Sequence, residues 1–366
     1  MNDTPNQKHL ALALFSGGLD SILAAKVVQR QGLQVQCLHF VTPFFGSEQK
    51  IPRWKQIYGL DIEAIDIGDE MVKTMALGPP NGFGSVLNPC VDCKILMLTK
   101  AAELMRERNA VCVVTGEVLG QRPMSQRRDT LNIIQRDTNL KGDLLRPLCA
   151  KHLDPTRAEL AGIIDREALY GFSGRGRSAQ KELAEELGIT EFPNPAGGCL
   201  LTEKENARNY WPVLRHSPEP SADDFYLSIT GRQYWHHREE DDRRFWLTVG
   251  RNQADNERIQ NLAGDNDLLF KTRYFPGPIS LGRNLGFAWD NDTIAAAAAF
   301  TASFSPKALR HAEETGESVI VRVHKKSLDE PGTEITVAPS RETTPTWSAN
   351  TWEDAQEGIR ALRKTV

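Results

Sequence analysis

Short apolar runs alternate with amphipathic runs over the first two hundred residues of the chain. The segments LALALF, VQCLHFV and AVCVVTGE are apolar and rich in strand-forming residues, whereas KIPRWKQIYG, LMLTKAAELMRERN and RAELAGIIDREALYG are amphipathic. Strands that alternate with helices predict an α/β fold, a parallel sheet with helices on both faces. Because such sheets bind ligands beyond the carboxyl ends of their strands, the loops that follow the strands are the expected place for a site.

The pattern changes after residue 205. Pro218 and Pro220 lie in a polar stretch, so residues 206–222 are predicted to link two domains, 1–205 and 223–366. In the second domain FYLSITGRQYW, RRFWLTVGRN, DLLFKTRYF and ESVIVRVHKK are predicted strands, and DTIAAAAAFTASFS is a predicted buried helix. We therefore expect a smaller α+β domain to follow the parallel sheet.

Composition and charge narrow the location and the partners. The formal net charge of the 366 residues is -4, so any surface that binds nucleic acid must be local. No apolar run reaches the roughly 18 residues of a membrane-spanning helix, and the first ten residues do not resemble a signal peptide. We expect a cytoplasmic protein without a membrane partner, in which the six cysteines are reduced.

The segment SGGLDS follows the first predicted strand and leads into a helix. Gly17 and Gly18 allow a sharp turn, and the free N–H groups of the following helix favour an anion. Ser16 and Ser21 can add hydroxyl donors, and the Asp20 carboxylate can hold Mg²⁺ against phosphates. No GKS or GKT follows, so the loop is not a Walker motif; the alternative is a glycine turn with an Asp or Ser cap.

Three of the cysteines suggest sulfur or metal chemistry. Cys90 and Cys93 have CxxC spacing in NPCVDCK, and Cys199 follows a proline and glycine bend in PNPAGGCLLT. Three thiolates could hold a 4Fe-4S cluster whose open iron carries sulfide. Alternatively, Cys199 could carry a persulfide that Cys93 or Cys90 resolves, or a zinc ion could bind with a fourth ligand. The remaining cysteines are assigned to packing: Cys37, Cys112 and Cys149.

Two motifs carry a resemblance to a known family over residues 10–200. SGGLDS resembles the PP-loop of ATP pyrophosphatases, and TGEVLGQRPMSQ with the later RPL resembles the 4-thiouridine synthetase family of tRNA sulfurtransferases. The resemblance implies that ATP adenylates a uridine carbonyl and that sulfur then replaces the oxygen. It implies catalytic roles for Asp20, Cys93 and Cys199. The expected nucleotide-binding residues are Ser16, Gly17, Gly18, Asp20, Ser21, His39, Phe40, Gly116 and Gln121.

Departures from the family leave the sulfur chemistry open. We expect in this sequence neither the THUMP module that precedes the PP-loop domain in bacterial members nor a rhodanese domain. Where the family has an Asp-Lys pair, this chain offers Asp154 and Arg157. The CxxC with a third cysteine resembles cluster-dependent tRNA thiolases, so the cluster with Cys90, Cys93 and Cys199 as ligands is favoured over the persulfide. The sulfur donor is expected to be sulfide or a cysteine desulfurase.

The C-terminal segment resembles the NFACT-R family of RNA-binding domains over residues 230–330, through GRNQADN, AGDND and the PGP turn. The resemblance implies tRNA as the partner, and a solvated surface is the alternative. The expected RNA-binding residues in the two domains are Arg175, Arg177, Lys181, Arg251, Lys271, Arg273, Arg283 and Lys325. Three further outcomes stay open: an inactive PP-loop domain that only binds tRNA, an enzyme acting on a small molecule, and a homodimer.

Overall fold

A computed structural model describes residues 9–122, 125–193, 198–326 and 332–363. The chain divides into an N-terminal unit, Met1–Thr202, and a C-terminal unit, Glu203–Val366. Most of the segment that the sequence predicts to be a linker is helical, because Lys204–His216 forms a helix of the C-terminal unit. Within the described residues no helix is long and apolar enough to span a membrane.

The N-terminal unit alternates strands and helices as the hydrophobic pattern predicts. Its elements are β1 Leu10–Leu14, α1 Leu19–Arg30, β2 Gln34–Val41, α2 Ile51–Tyr58, β3 Asp61–Asp66, α3 Gly68–Ala76, α4 Cys90–Glu107, β4 Cys112–Val114, α5 Arg128–Asp137, β5 Leu144–Leu145, α6 Arg157–Leu160 and α7 Ser178–Glu186. All neighbouring strands of the sheet are parallel, in the order β3-β2-β1-β4-β5. This confirms the predicted α/β class.

Alternate residues of β1 supply two apolar cores, one on each face of the sheet. Ala11 and Ala13 pack in the core that includes residues of α1, α2 and α7. Leu12 and Leu14 pack in the opposite core with residues of α4 and α5. A strand buried on both faces has to be apolar at every position, which explains the continuous run LALAL.

The run RAELAGIIDREALYG forms less helix than its amphipathic pattern indicates. Thr156 and Glu159 make a capping box at the start of α6, but α6 ends after four residues. Gly162 then adopts a φ of +68°, which reverses the chain direction. Asp165 caps a separate single turn at Arg166–Ala168. Local turn chemistry therefore overrides the periodicity here.

The C-terminal unit contains an antiparallel sheet. Its elements are α8 Lys204–His216, α9 Ala222–Ser228, β6 Arg232–Arg238, β7 Arg243–Val249, α10 Gln253–Leu262, β8 Leu268–Thr272, β9 Ile279–Arg283, α11 Asn291–Ala302, α12 Pro306–Thr315, β10 Val319–His324, β11 Thr333–Val337 and α13 Trp352–Arg363. The strand order is β11-β10-β8-β9-β7-β6. The expected separate α+β region is confirmed.

Two segments of this unit show where the sequence pattern succeeded and failed. The alanine-rich α11 buries Ala297 and Ala298 against the sheet, as expected. The predicted strand FYLSITGRQYW is instead split, since FYLS completes α9 and the strand begins at Arg232. The Ser221 and Asp224 side chains form a capping box that starts the helix, and Gly231 at φ +72° separates it from β6.

Candidate functional site

The centre of the parallel sheet is the point where the strand order reverses. β2 and β3 lie on one side of β1, and β4 and β5 lie on the other. In open parallel sheets this switch point opens a crevice beyond the carboxyl ends of the two central strands. The loop after β1 carries SGGLDS, and the loop after β4 carries TGEVLGQ. The fold therefore brings together two motifs that are about a hundred residues apart in sequence.

The turn after β1 requires glycine at its first position. Gly17 has a φ of +76°, and a Cβ placed there would lie 2.4 Å from the Trp54 ring. Gly18 is the N-cap of α1, and no side chain caps this helix. The first backbone N–H groups of α1 are therefore left for a ligand, and an anion is the ligand that a helix N-terminus favours.

Ser21 holds the turn closed from inside. Its hydroxyl donates to the Gly18 carbonyl at 2.8 Å and accepts from the Ser16 backbone N–H at 3.2 Å. The Ser21 side chain is buried, and the Ser16 hydroxyl lies 3.2 Å from it. Ser21 thus shapes the anion site through the backbone, while the exposed Ser16 is better placed to meet a ligand.

Asp20 sits at the start of α1 with one carboxylate oxygen engaged and one unengaged. Oδ2 accepts from Gln121 Nε2 at 2.9 Å and from Arg177 Nη2 at 3.5 Å. Oδ1 is buried without a hydrogen-bond partner. An orphaned carboxylate oxygen beside an anion site suits Mg²⁺, which binds through one or two carboxylates together with substrate phosphates. The residues present therefore fit the expected Mg²⁺.

Gly116 allows the second loop to touch the first. A Cβ on Gly116 would lie 2.4 Å from the Asp20 carbonyl oxygen and 2.7 Å from the Ser21 backbone nitrogen. Both neighbours are backbone atoms that cannot rotate away, so any side chain here would displace the start of α1. Gln121, from the same loop, also contacts Asp20 and is held by Gln180 Nε2 at 3.2 Å. Gly116 and Gln121 are thus placed at the predicted nucleotide site.

His39 and Phe40 lie in the interior. His39 Nδ1 hydrogen-bonds the Phe15 carbonyl at 2.9 Å, and its Nε2 accepts from the Ser47 backbone N–H at 2.8 Å. Burial lowers the pKa of His39, so the ring stays neutral. Both ring nitrogens are engaged and Phe40 packs in a core. Their side chains position the end of β1, and a nucleotide contact through them stays a prediction.

The three candidate cysteines converge in the N-terminal unit. Cys90 and Cys93 begin α4. Backbone hydrogen bonds from Leu200 N to Phe44 O, 2.9 Å, and from Leu87 N to Leu201 O, 3.2 Å, dock the Cys199 segment against the same region. Burial, and then the neighbouring Cys199, raise the pKa of Cys93 to about 12. The Cys93 thiol is therefore protonated unless a bound group or reaction removes its proton.

No metal centre is formed by the described part of the chain. Groups of three or more His, Cys, Asp or Glu side chains arranged to hold a metal ion are absent from it. The thiol of Cys90 accepts from Asn88 Nδ2 at 3.1 Å. Pro195 and Gly197, which the sequence predicts to present Cys199, lie outside the described residues. The described thiols as they stand therefore do not form the expected iron-sulfur site.

A buried ion pair explains the TGE and RPL motifs. Arg146 Nε donates to Glu117 Oε2 at 2.8 Å, and both side chains are almost fully buried. Thr115 donates to the same oxygen at 3.0 Å, and Lys94 Nζ lies 3.9 Å from Oε1. Burial alone would raise the pKa of Glu117, but Arg146 and Lys94 lower it below its ordinary value. Sequence reasoning noted these motifs but missed the pairing, because they approach each other only through the β4–β5 contact.

A basic cavity lies next to the start of α1. It has a volume of about 480 Å³ and is lined by Leu19, Arg175, Arg177, Lys181, Glu185, Phe192 and Pro193. Arg177 connects this cavity to the carboxylate of Asp20. Arg175 and Lys181 are exposed. The lining contains three cationic side chains and one carboxylate, that of Glu185, and this excess of positive charge suits a polyanion. The loop that is predicted to bind RNA therefore adjoins the candidate anion site at the start of α1.

The predicted RNA-binding residues of the C-terminal unit differ in how accessible their charges are to a ligand. Lys271 is exposed and Lys325 half-buried, whereas Arg251 pairs with Asp255 at 2.7 Å and Arg273 pairs with Glu334. Arg283 is different because it is buried. Its guanidinium contacts Asp224 at 2.8 Å and Asp267 at 2.6 Å.

Arg283 is therefore part of the internal structure, and an RNA contact would require two ion pairs to break. Three aromatic residues of the C-terminal unit, which could stack on a base, also differ in exposure. Trp246 and Phe270 are fully buried and unavailable to a base, whereas Tyr274 is 68% exposed. The Arg273 guanidinium lies 5.3 Å from the Tyr274 ring centroid. This pair keeps the aromatic and cationic character that stacking on a base requires.

Three solved structures show a distant likeness to this chain. A predicted subunit of a tRNA methyltransferase from Methanocaldococcus jannaschii is 17% identical with a TM-score of 0.32, covering 48% of this chain and 76% of that one. A 4-thiouridine synthetase, solved with RNA and bound ATP, is 21% identical with a TM-score of 0.32. The match covers 50% of this chain and 52% of the synthetase, so the chain spans about half of that protein.

A third solved structure is the C-terminal part of a fibronectin/fibrinogen-binding protein from Streptococcus suis. It is 15% identical with a TM-score of 0.25, covering 75% of this chain and 94% of that one. The resemblance of the C-terminal unit to NFACT-R domains stays a prediction.

The sequence comparison is more specific. The family model of the thiamine biosynthesis protein ThiI matches residues 7–63 and 85–155. The first stretch contains β1, the SGGLDS turn and β2, and the second contains the CxxC pair, the TGE loop and the RPL segment. The two loops that meet at the switch point thus both lie within the match. The expected resemblance is confirmed there, and the N-terminal unit is similar to the ThiI family of PP-loop tRNA sulfurtransferases.

Proposed function

We propose that the protein is an ATP-dependent tRNA uridine sulfurtransferase. The observation that carries this proposal is the contact between two motifs of the matched family, where Gly116 lies against the backbone of Asp20 and Ser21 at the sheet's switch point. The N-terminal unit combines an uncapped helix N-terminus, an orphaned carboxylate oxygen and a group of cysteines. These are the features that phosphate binding and sulfur transfer require.

The chain's own residues would prepare the first step. The turn at Gly17 and the N-terminus of α1 would bind the phosphates, and Asp20 would hold Mg²⁺. Bound Mg²⁺ supplies charge neutralisation at the phosphates. A uridine carbonyl oxygen would attack the α-phosphate and release pyrophosphate. Arg177 already hydrogen-bonds Asp20 and would add positive charge where pyrophosphate leaves.

Sulfur transfer is assigned to the cysteine group. Cys90 and Cys93 lie one helical turn apart at the start of α4, and backbone hydrogen bonds dock the Cys199 segment against the same region. We propose that these three cysteines carry the sulfur. A 4Fe-4S cluster on them would require the thiols to move from their present positions, and a persulfide on Cys199 is the alternative. Either chemistry requires the Cys93 proton to leave, because burial holds its thiol in the neutral form. Cytoplasmic thiols are kept reduced, which is the setting we propose for the enzyme.

The activity test measures tRNA-dependent AMP release and thiolated nucleosides by mass spectrometry. Asp20→Asn should lower both by at least tenfold, because it removes a charge from the expected Mg²⁺ ligand. The matched control is Asp137→Asn, since Asp137 is an exposed carboxylate at the end of α5. ATP turnover without tRNA thiolation would favour a small-molecule substrate. Tight tRNA binding without ATP turnover would show a binding protein.

The cluster test measures iron and acid-labile sulfide after anaerobic purification. Wild type should contain both, and Cys90→Ala, Cys93→Ala and Cys199→Ala should lose them. Cys112→Ala is the control, because this thiol is buried within β4. Iron that is absent from wild type, or unchanged in all three variants, would contradict the cluster. Persistent thiolation in such an iron-free protein would then support the persulfide.

A further inference from the structure

A second basic pocket lies in the C-terminal unit, beside the edge strand β6. Its volume is about 280 Å³, and three arginines, Arg208, Arg232 and Arg251, line it together with Tyr234 and Asn350. No Asp or Glu is among its described lining residues. Of these arginines only Arg251 belongs to the set that the sequence predicts to contact RNA. The grouping depends on strand pairing and on the segment after the bridge between Trp235 and Ser348.

A fourth arginine reinforces the positive charge. The guanidinium of Arg232 lies 5.3 Å from the ring centroid of Phe304, and that of Arg341 lies 4.5 Å from the same centroid. The two cations are therefore within about 10 Å of each other. Within the described ranges neither forms an ion pair at 4.0 Å or less, although Arg232 interacts electrostatically with Asp255. Two like charges held this close favour a bound anion.

The polar atoms without partners in this pocket are donors. Arg208 Nε and Asn350 Nδ2 are buried and make no hydrogen bond in the structure. An anion with several acceptor oxygens can satisfy both, and a cation cannot. Orphaned buried donors are costly unless a ligand or water completes them. The unpaired donors and the positive charge of the pocket therefore both favour an anion as its ligand.

Neighbouring groups hold two of the arginines in position. Arg251 is paired with Asp255 at 2.7 Å, and Arg208 with Glu205 at 3.1 Å. Arg232 donates to the Gly250 carbonyl at 3.2 Å and forms no ion pair of its own among the described residues. Tyr234 also lines the pocket, and burial raises the pKa of its hydroxyl, so the hydroxyl keeps its proton. Tyr234 adds a neutral donor to the pocket.

We propose that this pocket binds a backbone phosphate of an RNA, a second anchor distant in sequence from the PP-loop. The inference rests on the proposed tRNA substrate. Arg232 and Arg341 are exposed, so water solvates their charges well and the affinity of the pocket for a single free phosphate should be low. A polynucleotide held elsewhere on the chain presents its phosphates at high effective concentration, and it releases counterions as each phosphate is neutralised.

The test measures binding of an unmodified tRNA transcript to the full chain at several salt concentrations. Arg232→Gln combined with Arg341→Gln should weaken binding about tenfold and reduce the salt slope by about 1 to 2. Arg310→Gln combined with Arg360→Gln is the control with the same charge change at exposed positions outside the pocket. Equal affinity and slope in the two double variants would overturn the inference.

A second substitution avoids loss of the Phe304 contacts. Asn350→Asp places a carboxylate beside the pocket's arginines and should weaken tRNA binding, whereas Asn266→Asp, at an exposed position, should not. Circular dichroism and Tm establish that the variants are folded. Asn350→Asp that binds as well as Asn266→Asp would contradict the phosphate site.

Further arms separate this inference from the proposed function. Binding is measured without ATP or a sulfur donor. If the wild-type protein does not thiolate tRNA, the proposed function is refuted, but the binding measurement still tests the pocket. If thiolation occurs, the double variant should raise the KM for tRNA and leave kcat unchanged at saturating tRNA. Titration with inorganic phosphate distinguishes the sources: a Tm increase that depends on Arg232, with unchanged tRNA binding, would overturn the RNA assignment in favour of a small anion.

Discussion

Replacing Glu117 by Gln removes the negative charge from a fully enclosed ion pair. Its partner Arg146 is only 2% exposed, and Lys94 Nζ lies 3.9 Å from the second oxygen. Removing one partner of a buried pair costs about 3 to 5 kcal/mol, because the other charge stays buried without a counter-ion. The Gln side chain keeps one acceptor for Arg146, so we expect a loss of about 3 kcal/mol in unfolding free energy, at the lower end of that range.

The assay has to report on the N-terminal unit. Trp54 is the only one of the seven tryptophans that lies before residue 203, so tryptophan fluorescence follows mostly the C-terminal unit. Native-state hydrogen exchange of the β1 and β4 amides measures the opening free energy directly. Glu182→Gln, at an exposed position of α7, is the control and should change it by less than about 0.5 kcal/mol.

A double-mutant cycle with Arg146→Met tests the cause. If the two charges stabilise each other, the loss in the double variant is clearly smaller than the sum of the single losses. The effect also has a defined pH dependence. The folded pKa of Glu117 lies below 4.5, so its stabilisation is full above that pH and is lost as the pH falls through the folded pKa. Additive losses, or a Glu117→Gln variant as stable as wild type, would refute this reasoning.

Two other perturbations have clear expected outcomes. Gly116→Ala puts a Cβ 2.4 Å from the Asp20 carbonyl oxygen, so it should cost about 1 to 3 kcal/mol and raise the KM for ATP, measured by denaturation and kinetics. Gly176→Ala, which has no atom within 4 Å of its Cβ, should be close to neutral in denaturation. Burial and then Arg244 lower the pKa of His216 to about 4. Because the unfolded chain binds this proton more readily, the free energy of unfolding, measured by denaturation, should fall as the pH drops from 6.5 towards 4. The fall should be smaller in His216→Gln.

Individual residues show why the sequence predicts some features of the candidate site and misses others. The glycine turn that begins α1 could be predicted because Gly17, Gly18 and the start of the helix interact within one short segment. His39 lies near the carboxyl end of β2, close to where the other site residues follow their strands, but its ring faces Phe15 and Ser47 inside the unit. Arg283 looked like an available cation because the sequence does not show Asp224 and Asp267 beside it.

By itself the sequence determined the features that depend on neighbours along the chain. The alternation of strands and helices, the uncapped turn at Gly17 and the CxxC pair all arise from local propensity, periodicity and spacing. Only the tertiary structure decided which distant groups meet. It placed Gly116 against Asp20, Arg146 against Glu117, and Arg232 with Arg341 on one ring. These contacts depend on strand order and packing, and burial there determines whether a charge is available to a ligand or consumed by a partner.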